Sequence, residues 1–305
     1  MNRLEAMTVL LDVVDAGSLS AAGRRLGMPL ASVSRKISSL EAHLKARLLN
    51  RSTRQLTLTE AGRTYVAACR RILEQVGDAE RTAGGEYSAP RGDLTLTAPV
   101  VFGRLHVLPV VSDFLKTYPE IDMRLVLSDR VVHLLEDHID VALRIGQLPD
   151  SSLVATQLGT VRRVICASPG HLSRHGAPKT PADLALHDCV TFEGLNSLAA
   201  WTFGAGKSEI SVPIKPRLTV NTAEAAIDAA AAGVGITRVL SYQAASAVEE
   251  GRLAILLQEF EPAPLPVSLV HAGHGLLPLK LRAFLEFAAP QLRGRLAPSP
   301  LASPA

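Results

Sequence analysis

A chain of 305 residues is longer than one hydrophobic core commonly serves, so two or more domains are expected. The net charge of +3 conceals an asymmetry: residues 1–90 hold 13 Lys/Arg against 9 Asp/Glu, whereas the remaining 215 hold 19 against 20. Only the N-terminal part is composed for a polyanion. Cys69, Cys166 and Cys189 lie far apart and form no C-x-x-C pair, which argues against a disulfide framework or a zinc site and fits a reducing compartment. Glu5, Asp12 and Asp15 interrupt the apolar residues of the N-terminus, and no later run of about 18 uncharged apolar residues suggests a membrane span. A cytoplasmic protein without membrane attachment is expected.

In chain order, Leu4, Met7, Leu10, Leu11 and Val14 fall at helical spacing and predict a first helix with one apolar face. Asp15-Ala16-Gly17 ends it, and Ser18 can cap a short second helix through Arg25. Gly27 marks a turn, and Pro29 suits the start of the next helix. There Val33, Ile37, Leu40 and Leu44 form one buried stripe, leaving Ser32, Ser34, Arg35, Lys36 and Ser38 outward. Short hydroxyls and an arginine on the second helix of a helix-turn-helix suit the DNA major groove. From Arg24 to Arg54 eight basic side chains stand against the single acid Glu41, as a phosphate-binding surface requires. Leu48 to Leu58 reads as a small β-wing whose centre carries Arg51 and Arg54. Thr59 can cap a further helix, in which Tyr65, Cys69, Ile72, Val76, Ala79 and Ala83 alternate at spacings of four and three. That is a heptad seam, so this helix is expected to pair with a second copy, with Cys69 in a packing role.

The blocks Leu19-Ser20-Ala21-Ala22-Gly23-Arg24-Arg25-Leu26-Gly27, Val33-Ser34-Arg35-Lys36-Ile37, Leu40-Glu41, and Leu48-Leu49-Asn50-Arg51 through Leu58-Thr59-Glu60-Ala61-Gly62 occur in this order over some sixty residues. This region resembles the N-terminal part of the LysR-type transcriptional regulators. The resemblance implies an N-terminal all-α winged helix-turn-helix with a long dimerisation helix, followed by a C-terminal α/β two-lobed domain like the periplasmic binding proteins that takes an effector. It also implies DNA contacts by Ser34, Arg35, Arg51 and Arg54. Many members carry Gln-Pro where this chain has Leu30-Ala31. Leucine cannot make the bidentate contact to adenine open to glutamine, which leaves base preference there open, contact with a thymine methyl being one substitute.

Gly84 to Gly92 is rich enough in glycine and proline to act as a hinge. Beyond it, Leu94–Ala98, Met123–Leu127 and Val141–Ile145 read as strands, and Leu105–Tyr118 and Val131–Asp137 as helices. A second group comprises Val161–Ala167, Leu218–Val220, the alanine-rich helix Ala223–Ala232, Gly235–Thr237 and Leu253–Leu257, before Val267–Ala272 and the helix Leu279–Ala289 close the chain. Such alternation predicts mainly parallel sheets flanked by helices. The expected division is a winged helix-turn-helix over 1–59, a linker and dimerisation helix over 60–85, a hinge over 86–92 and an effector-binding domain over 93–295. Within that domain lobe I takes 93–160 and 268–295, and lobe II takes 161–267. The tail 296–305, of low complexity, is expected to be disordered.

Ligands of α/β sheets gather at the carboxyl ends of strands and at helix N-termini. By that rule Val101, Phe102, Ser128 and Arg144 in lobe I, and Asn196, Asn221, Thr222 and Thr237 in lobe II, are the candidate effector residues. The apolar Val100-Val101-Phe102 suggests an effector with a ring or alkyl body, and Arg144 could take a carboxylate, unless it pairs with an acid such as Asp129 or Asp140. Gly204-Ala205-Gly206-Lys207-Ser208 fails as a P-loop, because the earlier glycine it needs is Trp201. His271 and His274 lack a second ligand cluster, and no nucleophile elbow appears, so neither a metal, a cofactor nor an enzyme activity is expected. The expected partners are double-stranded DNA, a further copy or copies of the chain as homodimer or homotetramer, a small-molecule effector and RNA polymerase, in a cytoplasmic, nucleoid-associated setting. The competing reading is a solute-binding protein without a transcriptional role.

Overall fold

A computed structural model describes residues 2–51, 56–83, 89–130, 134, 137, 139–148, 153–192, 200–204, 209–273 and 277–296. The chain folds as two compact units, Met1–Ala89 and Pro90–Ala305.

In the first unit, α1 (Arg3–Asp15), α2 (Leu19–Leu26) and α3 (Leu30–Leu44) precede the antiparallel pair β1 (Leu49–Arg51) and β2 (Leu56–Leu58), and α4 (Glu60–Ala83) follows. The predicted signals act as expected at α2, where Ser18 Oγ accepts from the Ala21 N–H at 3.1 Å and Gly27 closes the helix at φ +63°. Thr59 Oγ likewise accepts from the Gly62 N–H at 2.9 Å at the start of α4. The core joins Val33, Ile37 and Leu40 of α3 to Ala6, Val9, Leu10 and Val13 of α1. The buried face of α1 is thus rotated from the predicted one: Leu4 is exposed, and Leu11 and Val14 are only half-buried. Alanine at position 6 is small enough for close helix crossing, a role that a count of large apolar residues overlooks.

The second unit holds two five-stranded sheets among its described residues. The first contains β3 (Gly92–Ala98), β4 (Ile121–Leu127), β5 (Val141–Ile145) and β6 (Leu153–Val161), with the late strand β14 (Leu265–Ala272), in the order β4-β3-β5-β14-β6. The second is built from β7 (Arg163–Ala167), β8 (Asp188–Phe192), β11 (Lys215–Val220), β12 (Ile236–Leu240) and β13 (Ala254–Leu256), in the order β11-β8-β12-β7-β13. The chain leaves the first sheet between Val161 and Arg163 and returns before Leu265, which pairs with Val161, so the two crossings run side by side. An ion pair between Arg162 and Glu261 at 3.3 Å and the Ser241 N–H bond to Arg162 O at 2.8 Å hold this junction.

Both sheets are mixed, which corrects the mainly parallel expectation. β3 runs parallel to β4 and β5, and β8 runs parallel to β11 and β12, but β14 is antiparallel to β5 and β6, and β7 is antiparallel to β12 and β13. Strands that arrive from the other sheet enter in the opposite sense, a long-range property invisible to local pattern. The first sheet packs Leu94, Leu96, Val141 and Leu269 against Phe114 and Phe284, whose rings meet edge to face at 5.2 Å. One face of the second sheet, with Val164, Cys166 and Val239, lies under α8 (Ala223–Ala231) and α9 (Ser241–Glu249). The other, with Ile165, Cys189 and Ile236, is covered by Trp201 and Phe203 of the β9 (Ala200–Phe203) and β10 (Ile210–Pro213) hairpin.

Three further expectations are refined. The helix read over Leu105–Tyr118 begins earlier, as α5 (Val100–Phe102), passes through a π-turn (Gly103–Val107) and continues as α6 (Leu108–Thr117). The helix α10 (Leu279–Leu296) runs through Pro290 instead of stopping before it, because Leu292, beyond the proline's missing donor, is buried on the same core as Ala288 and Ala289 before it. Most of Val131–Asp137, the hinge residues 84–88, residues 205–208 and the tail 297–305 lie outside the described residues.

Candidate functional site

The first candidate surface is the outer face of α3. It is set at a fixed angle to α2 because a Cβ on Gly23 would stand 2.8 Å from Met28 O, so only glycine permits this turn. Val33, Ile37 and Leu40 anchor the inner face. Outward, Arg35 and Ser38 are exposed and Ser32, Ser34 and Lys36 half-buried. Lys36 Nζ lies 2.8 Å from Glu5 of α1, a pairing that spacing within α3 does not disclose. Arg25 pairs with Asp12, whereas Arg24, Lys45 and Arg47 are exposed close by in sequence. Glu41 turns the opposite way: its Oε1 accepts from the N–H groups of Leu48 at 2.8 Å and Leu49 at 3.1 Å, and so ties α3 to the base of the wing. In the wing Arg51 pairs in register with Leu56, while Arg54 lies outside the described residues.

Along α4 the predicted seam divides. Tyr65 packs on the core of its own unit, and Cys69 is wholly buried, its thiol raised above the ordinary range by that burial. Ile72 and Ala79 are exposed and Val76 half-buried. The structure therefore turns Tyr65 and Cys69 inward and leaves Ile72, Val76 and Ala79 outward, while the side chain of Ala83 lies outside the described residues. The heptad count missed this because it cannot tell which of two partners, α1 or a second α4, covers a position.

The second candidate site is a pocket of about 730 Å³, counted to its open mouth, within the second unit. Most of its walls gather at carboxyl ends of strands: Thr97, Ala98 and Pro99 at the end of β3, Ser128 to Arg130 after β4 and Phe192 closing β8, with Ala142 to Ile145 along β5 and Tyr242 and Gln243 in the first turn of α9, after β12. Both sheets contribute. Ser128 Oγ accepts from the Arg130 N–H at 3.1 Å, Asp129 Oδ1 from the Val100 N–H at 3.0 Å, and Gln243 Oε1 from the Leu240 N–H at 2.8 Å. The acceptors are thus partly engaged by backbone, while the Arg130 and Arg144 guanidinium groups bring positive charge to the lining. Burial, together with the charges of Asp129 and Glu224, holds the Tyr242 phenol well above its ordinary range, against a hydrogen bond with Gln243.

Of the predicted effector residues, Ser128 and Arg144 line this pocket. Val101 and Phe102 do not: both are buried, Phe102 in the core of the first sheet, because α5 starts at Val100 and turns them inward. Phe102 instead backs the pocket, its ring 5.1 Å from Tyr242 and 4.7 Å from His106. Thr222 caps α8 by accepting from Ala225 N–H at 3.2 Å, Thr237 is fully buried and donates to Val190 O at 3.0 Å, and Asn221 is exposed away from the pocket lining. Asn196 lies outside the described residues. Phe192, Tyr242 and Gln243 were missed for one reason: β8 was not read, and β12 was ended at Thr237 instead of Leu240. Applied to the true strand ends, the same carboxyl-end rule finds them. Among the described residues no group of three or more His, Cys, Asp or Glu could hold a metal ion, and no helix is long and apolar enough to cross a membrane.

A helix-turn-helix head with a wing, joined in one chain to a two-lobed α/β unit whose pocket opens at converging strand ends, defines a ligand-responsive DNA-binding regulator. The chain belongs to the LysR-type transcriptional regulators: residues 4–63 match the bacterial regulatory helix-turn-helix protein, lysR family, and residues 88–293 match the LysR substrate binding domain. It is 34% identical over 288 residues to an HTH-type transcriptional regulator of Xanthomonas campestris pv. campestris, covering 93% of this chain and 84% of that one. It is also 34% identical over 290 residues to the HTH-type transcriptional activator AaeR of Escherichia coli, covering 94% and 93%. Among solved structures, CrgA, a LysR-type transcriptional regulator from Neisseria meningitidis, superposes with a TM-score of 0.60 at 33% identity, covering 96% of this chain and 99% of that one.

Proposed function

We propose that this regulator binds an interrupted dyad in duplex DNA as a homodimer or homotetramer, and that an organic carboxylate in the pocket sets its grip on that operator. Ser32, Ser34, Arg35, Lys36 and Ser38 of α3 face the major groove, and Arg51 and Arg54 of the wing meet the adjoining backbone. Ile72, Val76 and Ala79 form the pairing seam of α4. A head bound beside a promoter brings RNA polymerase within reach as a further partner, in a cytoplasmic, nucleoid-associated setting.

The single observation that carries the effector half is the composition of the pocket, whose lining combines the charged Arg130 and Arg144 with the apolar Phe192, Leu143 and Ile145. An anion with a ring or alkyl body satisfies both parts. Because Arg144 lies on the first sheet and Gln243 at the start of α9, next to the second, a ligand that engages both binds the closed arrangement better than the open one, and only such a difference can shift the population. A coupling of about 1–3 kcal/mol between effector and operator is the usual scale. Footprinting on the DNA upstream of the protein's own coding region, with and without aromatic and aliphatic acids, tests the reading. At least one acid should change the protected pattern, and Arg144→Ala should abolish that change while leaving protection without acid intact. A footprint indifferent to every acid would remove the effector half.

A further inference from the structure

The first residue of α3 is a leucine that the fold leaves uncovered. Leu30 is 50% exposed, although Val33, one turn on, is fully buried, and the neighbouring Leu26 and Met28 pack against the core. Residues four apart share a helix face, so Leu30 lies in line with Ser34 and Ser38, and it precedes the exposed Arg35 by little more than a turn. An aliphatic side chain therefore projects from the start of a face otherwise made of hydroxyls and a guanidinium. A second copy of the chain is a poor cover for it, since the exposed Arg24, Arg35, Lys45 and Arg47 of this region would face their own like. These charges favour a polyanion, and the one apolar group that a duplex presents in its major groove is the 5-methyl of thymine.

We propose that Leu30 selects thymine at one position of each operator half-site by packing on its 5-methyl group, an inference that rests on the DNA-reading role of α3 given above. Leucine has no donor or acceptor for the adenine N6 and N7 edge, so its discrimination comes from the methyl alone. Removing one buried methyl costs roughly fourfold in affinity.

The test uses the full-length protein to enrich duplexes from a randomised pool, after which each thymine of the enriched duplex is replaced singly by deoxyuridine, which keeps base pairing and deletes only the methyl. At one thymine per half-site the wild type should weaken roughly fourfold, the scale of one methyl. Leu30→Ala should bind the thymine duplex as weakly as the wild type binds the uracil one, and should not respond to the replacement. In a fresh enrichment, Leu30→Gln should exchange that thymine for adenine. If no deoxyuridine position weakens the wild type, or if Leu30→Ala loses as much as the wild type does, the assignment to Leu30 is overturned while DNA reading by α3 stands. Failure to enrich any duplex would overturn both. A changed sedimentation coefficient for Leu30→Ala would show that the side chain covers a subunit contact, and would likewise end the proposal.

Discussion

Glu41 stands alone among eight basic residues between Arg24 and Arg54, and it points away from the basic face, into the base of the wing. Its carboxylate accepts two N–H groups in the stretch Leu48–Leu49, whose side chains are buried. Deleting an acceptor from buried donors costs about 1–3 kcal/mol. Glu41→Ala should therefore lower the stability of the first unit by that amount in urea unfolding, and Glu41→Gln, which keeps an acceptor oxygen, should recover most of it. Equal stability of Glu41→Ala and wild type would show that the wing base is satisfied otherwise. At this scale the outer residues of α3 were legible, because a helical period and one buried stripe fix what remains outside. The pairing of Lys36 with Glu5 was not, since it joins residues of two helices whose mutual placement no local pattern encodes.

At the scale of elements, the close approach of α4 to the wing depends on Gly62. A Cβ there would lie 2.0 Å from Leu48 O and 2.9 Å from Leu48 C, and backbone cannot give way as a side-chain end can. Overpacking of this kind costs about 3 kcal/mol. Calorimetry of Gly62→Ala should show the transition of the first unit moved to lower temperature with that of the second unchanged, and operator affinity lost with it. Strands and helices with a strong period were legible to within a residue or two: Val141–Ile145 coincides with β5, and the alanine-rich helix with α8. Misreadings fell where two elements abut without a breaker. Val161–Ala167 spans the end of β6 and all of β7, divided only by Arg162, and Gly235–Thr237 covers only Ile236 and Thr237 of β12. Those lost strand ends were the positions that mattered for the pocket.

For the whole molecule, stability should depend on pH through buried imidazoles. Burial holds His171 below the ordinary histidine range; the stacked His175 at 4.4 Å, His187 and Arg174 add repulsion, and only the contact of Nδ1 with Gly233 O opposes them. His106 is lowered likewise, by burial and by Arg295. A group whose folded value lies below its unfolded value of about 6.5 contributes stability above that pH and loses it as the pH falls. Unfolding free energy measured in urea should thus be lower at pH 5.5 than at pH 7.5, and His171→Gln should reduce the difference. A higher value at pH 5.5 would contradict the assignment.

The path of the chain through its two sheets also sets the order in which a nascent copy can finish them. β3, β4, β5 and β6 leave the ribosome first, yet β14 sits between β5 and β6, and α10 supplies Phe284 and Leu292 to the same core. The second sheet takes no strand beyond β13, only Leu257 and Phe260 just after it packing on its core. During synthesis the sheet begun earlier must wait, half-built, while its younger neighbour closes, and it is completed only when β14 and α10 emerge. The pocket, which draws a wall from each, comes into being at that moment, so a growing chain cannot sense its ligand until β14 and α10 have joined the earlier strands.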